Sequence, residues 1–221
     1  MHFAEYMKNL RKEKSLTQQQ MAEILDVSVQ SIKMIENGHT KFPSKKVMER
    51  LCEYLDLFPV EIAEKILFWD DIFEEDEQGF AASRYIAYKY LHGWNIDKVP
   101  IVLDYGQGTL TCPGKISKRR DPKNTSIVME FGIFQPGPKA PTFEDAFDII
   151  STIIMIAIRS KEPFRKIEIV FDIGEYYEDA SFQLLENTKI YKLPIDVDLI
   201  LFLAETGELC DTIHLRKDKE I

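Results

Sequence analysis

The sequence predicts an α+β protein: an all-α N-terminal domain of five helices, then an α+β domain built on a mainly antiparallel sheet. Three observations carry this expectation. Apolar residues recur at helical spacing behind recognisable caps from Phe3 to Trp69. Beyond Ile96 the pattern changes to strand-like runs rich in Val, Ile and Thr. The charge divides as well: residues 1–69 hold 10 basic and 10 acidic side chains, while residues 70–221 hold 18 and 27, which accounts for all of the net −9. A chain of 221 residues has room for two cores. The expected boundaries are 1–69, an acidic linker at 70–79, and 80–221.

Phe3, Met7 and Leu10 give the first helix, ending near Lys14-Ser15. Thr17 with Gln20 forms a capping box for the second, and Leu16 can staple onto Met21 across it. Ser28 caps the third, with Val27 and Ile32 as its staple, and Gly38 supplies the left-handed residue that ends it. Only Asp26 and Val27 separate the second and third helices, so the link is a tight turn. Ala22 is small where two helices must cross closely, and Leu25, Val27, Ile32 and Ile35 make one buried seam. The third helix keeps one free face: Val29, Gln30, Lys33 and Met34. After a loop from His39 to Pro43, Ser44 caps a fourth helix bearing Val47, Leu51 and Leu55. Pro59 opens a fifth, carrying Ile62, Ile66 and Trp69.

The stretch from Leu10 to about Leu57 resembles the Cro and lambda-repressor-like (XRE-type) helix-turn-helix family. The matching residues are Leu10-Arg11, Leu16-Thr17-Gln18, Met21-Ala22, Val27-Ser28, Ile32, Ile35-Glu36-Asn37-Gly38, Pro43 and Leu51. The resemblance implies that the second of the paired helices lies in the major groove of DNA. Gln18, opening the first of the pair, would contact phosphate beside free backbone N–H groups. Ser28, Val29, Gln30, Lys33 and Met34 would face the duplex, with Gln30 and Lys33 reading bases and Val29 and Met34 making apolar contacts. His39 and Lys41, just past that helix, are further candidates for phosphate, with plain solvent exposure as the ordinary alternative. Asp26 stands where the family usually has Gly, a position Asp tolerates because it enters the left-handed region. From Lys8 to Arg50 the count is 9 basic to 5 acidic, so the DNA-facing piece is modestly basic although the chain is acidic.

In the second part, residues 80–94 read as a helix with Tyr85, Tyr88 and Leu91 on an aromatic stripe, more suited to a core than to a ligand cage. Val99–Tyr105, Thr109–Ser117 and Ser126–Phe134 read as strands, with a turn at Gly106-Gln-Gly108 and a charged loop tip from Lys118 to Lys123. Thr142 caps a helix through Arg159, apolar nearly all round from Ile149 to Ile158, which suits a sheet-packed core or a subunit interface. Strands follow at Lys166–Ile173, Leu199–Ala204 and Glu208–Leu215, the last two a hairpin about Thr206-Gly207.

Little of this sequence reads as reactive chemistry. The lone Gly-x-Gly lacks a third Gly and a following helix, so it is a turn. Cys210 and His214 stand at alternate positions and could face one side as a nucleophilic pair; ordinary sheet residues are the plainer reading. Asp172, Glu175, Glu178 and Asp179 bunch near a strand end as a candidate cation site, against a default of solvated loop acids. Self-cleaving repressors share this length, but the chain has no Ser-Met pair and no Ala-Gly or Cys-Gly dipeptide to cut. No catalytic activity, metal or cofactor is expected. Three scattered cysteines, no signal-peptide pattern and no long apolar run fit a soluble cytoplasmic protein. The expected function is that of a sequence-specific transcriptional regulator, a repressor, acting as a homodimer on a double-stranded DNA operator. Its C-terminal domain would dimerise and receive a signal, with a protein or a small molecule as inducer, and no membrane partner. The alternative is an inhibitor of another protein through the acidic C-terminal domain, with the N-terminal domain regulating its own gene.

Overall fold

The computed structural model describes residues 3–68, 80–97, 101–104, 109–112, 114–118, 120–130, 150–152, 154–155, 165–173 and 195–215. The chain divides into two compact units, Met1–Ile72 and Phe73–Ile221. Among the described residues no helix is long and apolar enough to cross a membrane. The acidic run from Asp70 to Gly79 lies outside the described residues.

Among its described residues unit 1 holds five helices, α1 (Phe3–Glu13), α2 (Gln18–Ile24), α3 (Val29–Glu36), α4 (Lys45–Leu55) and α5 (Pro59–Leu67). Phe3, Tyr6, Met7, Met21, Leu25, Ile32, Leu51, Ile62 and Ile66 are buried to within 1% of completely, so every helix contributes to one core. Each such apolar side chain stabilises the fold by roughly 1.5–3 kcal/mol. Three helix ends share one device. The N–H two residues beyond the cap reaches back five residues along the chain: Leu16 to the Arg11 carbonyl at 2.9 Å, Val27 to Ala22 at 3.0 Å, and His39 to Met34 at 3.0 Å. The residue between is left-handed each time: Ser15 at φ 53°, Asp26 at φ 51° and Gly38 at φ 78°. Asp26 thus does the work usually given to Gly at the turn. Val27 and Leu55, expected in full burial, are half-buried instead. Val27 leaves the turn at its rim, and Leu55 is the last residue of its helix.

Unit 2 opens with α6 (Phe80–Leu91), ended by Gly93 at φ 78°. Its strands are β1 (Asn95–Asp97), β2 (Ile101–Asp104), β3 (Thr109–Cys112), β4 (Gly114–Lys118), β5 (Asp121–Glu130), β6 (Lys166–Asp172), β7 (Asp196–Leu203) and β8 (Glu208–His214). Strands β2 and β3 form a separate pair, and the six-stranded sheet runs β1-β4-β5-β6-β7-β8. Antiparallel pairings are in the majority, but β5 pairs β6 and β6 pairs β7 in parallel, so the sheet is mixed. Parallel neighbours need long crossover connections, which fall between residues 131 and 164 and between 174 and 194. The helix expected from Thr142 to Arg159 belongs to the first. Only Ile150–Thr152, Ile154 and Met155 of it are described; they are helical, with Ile150 and Ile154 buried.

Two strand expectations are corrected. Thr109–Ser117 is not one strand: β3 ends at Cys112 and β4 begins at Gly114, in different sheets, with Pro113, which has no N–H to donate, standing between them in sequence. Asp121, Pro122 and Lys123, assigned to a loop tip, lie in β5, where Lys118 pairs Asp121 across a tight turn. The turn residues at Gly106-Gln-Gly108 and Arg119 lie outside the described residues.

The sheet carries one polar row that hydrophobic patterning did not foresee. Gly114, Val128, Glu168, Asp198 and His214 are cross-strand neighbours over β4 to β8. Helix α6 packs over this face. Tyr85 donates its hydroxyl to Glu168 Oε2 at 2.6 Å, and Lys89, one turn later, reaches the same oxygen at 3.3 Å. Lys166 bridges Glu168 and Asp198, and His214 Nδ1 lies 2.6 Å from Asp198 Oδ1. Burial pushes the Glu168 carboxyl up, but the charges of Lys89 and Lys166 and hydrogen bonds from Tyr85 and Ser126 outweigh it, so its pKa falls below the ordinary value. Tyr85 is fully buried, while Tyr88 and Leu91 of the expected stripe are half-buried.

The suggested Cys210–His214 pair does not form. Register jumps from Leu201–Asp211 to Phe202–Leu209, so Cys210 is the extra residue of a β-bulge and the alternation behind the pairing breaks there. Asp172 accepts the Ala204 N–H at 3.3 Å, and its proposed cation-site companions Glu175, Glu178 and Asp179 lie outside the described residues.

Candidate nucleic-acid interface

The site is built on α3. At ~100° per residue, Val29, Gln30, Lys33, Met34 and Asn37 fall within an arc of ~140°, and Ile32 and Ile35 lie opposite. The burial agrees: the first five are exposed and the two isoleucines are buried. Val29 and Met34 are 36% and 45% exposed, unusual for apolar side chains in a unit with so complete a core. Ser28 sets the entry of the helix. Its Oγ accepts the Ser31 N–H at 3.1 Å and lies 2.8 Å from the Ser31 hydroxyl. The Ser28 hydroxyl is therefore occupied as a cap, although its side of the helix remains exposed. The capping box on α2 is also complete: Thr17 Oγ1 accepts from the Gln20 N–H at 3.2 Å, and Gln20 Oε1 from the Thr17 N–H at 2.8 Å. His39 and Lys41 are exposed just past the end of α3.

One carboxylate ties the site to the rest of the unit. Glu36, the last residue of α3, accepts Arg11 Nε at 2.6 Å and Arg11 Nη2 at 3.2 Å. Arg11 also donates Nη1 to the Leu16 carbonyl at 2.9 Å, and Gln18 Nε2 donates to Glu36 Oε2 at 2.9 Å. Helices α1, α2 and α3 are thus pinned at one point. Gln18, expected to serve phosphate alone, spends one amide N–H on Glu36 and keeps a second donor. Arg11 and Glu36 were legible only as matching positions in a resemblance. They stand 25 residues apart and no local spacing predicts their contact.

Burial opposes ionisation of Glu36, but hydrogen bonds from Arg11 and Gln18 and the Arg11 charge outweigh it and hold its pKa below the ordinary glutamate value of 4.5. A depressed folded-state pKa stabilises the fold above the unfolded value and ceases to do so as pH falls through the folded one. Glu36→Ala should cost about 2–3 kcal/mol at neutral pH, because it leaves a mostly enclosed guanidinium without its carboxylate. Urea titrations at pH 7 and pH 3 check this. The wild type should lose part of its advantage over the variant at pH 3, and an advantage of equal size at both values would show that Glu36 ionisation contributes nothing.

Residues 4–66 match the model of a family described as a helix-turn-helix domain. Unit 1 is accordingly an XRE-type helix-turn-helix domain, and the chain is a DNA-binding transcriptional regulator through it. No curated protein and no solved structure matches the chain.

Proposed function

We propose that the protein is a sequence-specific repressor that binds a two-fold operator as a homodimer, with α3 in the major groove and unit 2 as the dimerising and signal-receiving part. The observation that supports this reading best is the exposed arc of α3, held at both ends by caps and through Glu36 to α1 and α2. A single small module makes few base contacts, so two copies on paired half-sites are needed for specific affinity. Gln30, second in α3, can pair bidentately with adenine, a contact worth ~1–3 kcal/mol. The remaining donor of Gln18, with His39 and Lys41, suits phosphates that set the register without reading sequence. Lys33 is the basic reader on the same face. The inducer would be a protein or a small molecule taken by unit 2, and no catalytic step belongs to this reading.

Gel-shift titration on a duplex selected from a random pool, beside an unrelated duplex, tests the assignment. Gln30→Ala should weaken the selected duplex about tenfold and leave the unrelated one nearly unchanged, whereas Gln18→Ala should weaken both. Equal losses on both duplexes for Gln30→Ala would remove it from base reading.

A further inference from the structure

The two exposed apolar residues of α3 are the unexplained feature of the interface. A surface that only gripped phosphate would gain nothing from Val29 and Met34, since phosphate contacts come from cations and hydrogen-bond donors. Their exposure is also not a gap in the core, because Ile32 and Ile35 on the opposite side of the same helix are buried. They bracket Gln30 and Lys33 on one arc, in the stretch from Lys8 to Arg50 where basic residues outnumber acidic ones 9 to 5. In the major groove the one apolar group that a base edge offers is the thymine 5-methyl. Met34 has an unbranched, adaptable side chain, and Val29 presents two methyls from a stiff one.

Resting on the DNA-binding reading above, we propose that Val29 and Met34 are specificity-determining residues that each bury a thymine methyl, so the half-site holds two thymines flanking the base pair read by Gln30. Five residues of helix rise ~7.5 Å, which spans roughly two base-pair steps of ~3.4 Å. The expected half-site is therefore A/T-rich, with thymines two steps apart, on either strand, and an adenine for Gln30 among them. Lys33, a point-charge donor, lies between the two apolar contacts and suits an acceptor-rich base or the adjoining phosphate.

The test uses the full chain and a duplex enriched from a random pool, prepared with thymine or with deoxyuridine at each thymine of the half-site in turn. Deoxyuridine removes the methyl and keeps every base-pairing and hydrogen-bonding group. Each critical replacement should weaken wild-type binding about fourfold, the value of one buried methyl group. Val29→Ala should abolish the effect at one thymine and Met34→Ala at the other. Both residues are exposed, so neither substitution should disturb the fold, a point that circular dichroism of each variant checks. If the enriched duplex binds wild-type protein equally well with thymine and deoxyuridine throughout, the methyl contacts do not exist, while the DNA-binding reading stands. The two apolar residues would then belong to a protein contact. A pool from which no duplex is enriched would overturn both together.

Discussion

Glu168→Ala is expected to destabilise unit 2 by about 3–5 kcal/mol, the loss seen when one member of a buried ion pair is removed. The side chain is 1% exposed and serves Tyr85, Lys89, Lys166 and Ser126 at once. Its removal strands the Lys89 ammonium, 14% exposed, under α6, where among the described residues the ring faces of Tyr85 at 4.8 Å and Trp94 at 4.5 Å and the more distant Asp198 charge remain for it. A cation over an aromatic face recovers ~0.5–2 kcal/mol, too little to replace a carboxylate. Glu168→Gln should cost less, since the amide oxygen can still accept from Tyr85. Because two units unfold, the measurement needs a reporter confined to one. Trp69 and Trp94 are the only tryptophans. Trp69→Phe therefore leaves Trp94 fluorescence to follow unit 2 alone during urea unfolding. A loss below about 1 kcal/mol would mean that water reaches the cluster and the ion pairs behave as surface pairs do.

That cluster also marks where sequence reading stops. The caps of unit 1 were legible because each is closed by residues three to five apart, and the residue type states the mechanism: Thr17 with Gln20, Ser28, Ser44, Gly38. Even the substitution of Asp26 for Gly was readable, since Asp is among the few side chains that tolerate the φ of 51° it adopts. The exposed arc of α3 followed from the same local periodicity. Contacts between distant residues were not readable in this way. Arg11 and Glu36 meet only after three helices have packed. Glu168 and Asp198 sit in strands whose apolar runs, Lys166–Asp172 and Asp196–Leu203, hide them as minor interruptions. Their meaning depends on the register that sets them side by side. Whether neighbouring strands run parallel is decided by the crossover between them, and Ser126–Phe134 and Lys166–Ile173 have the same composition either way. The bulge at Cys210 is a one-residue shift without a Gly or Pro to announce it.

Residues 1–72 made alone should fold and yet bind the selected duplex ~10²–10⁴-fold more weakly than the full chain, the factor lost when a second contact ceases to be intramolecular. Folding is expected because residues 1–72 form a compact unit to whose core every helix contributes fully buried side chains. Weak binding is expected from the small charge surplus between Lys8 and Arg50, 9 basic to 5 acidic, which releases few counterions for a single copy. On the proposed division of labour the dimer contact lies in unit 2. There the run from Ile149 to Ile158 is apolar enough to supply both a core and a surface: Ile150 and Ile154 are buried, while Met155 is 49% exposed. Residues 73–221 should therefore sediment as a dimer and bind no DNA, in keeping with their 25 acidic side chains against 18 basic ones. Analytical ultracentrifugation of both fragments, with a gel shift of the first, decides the matter. A monomeric 73–221 beside a dimeric 1–72 of full affinity would move the interface to unit 1, where Tyr54 and Phe58 are exposed aromatic side chains. In that case the affinity gain would come from contacts within the helical unit itself, and unit 2 would be left with signal reception alone.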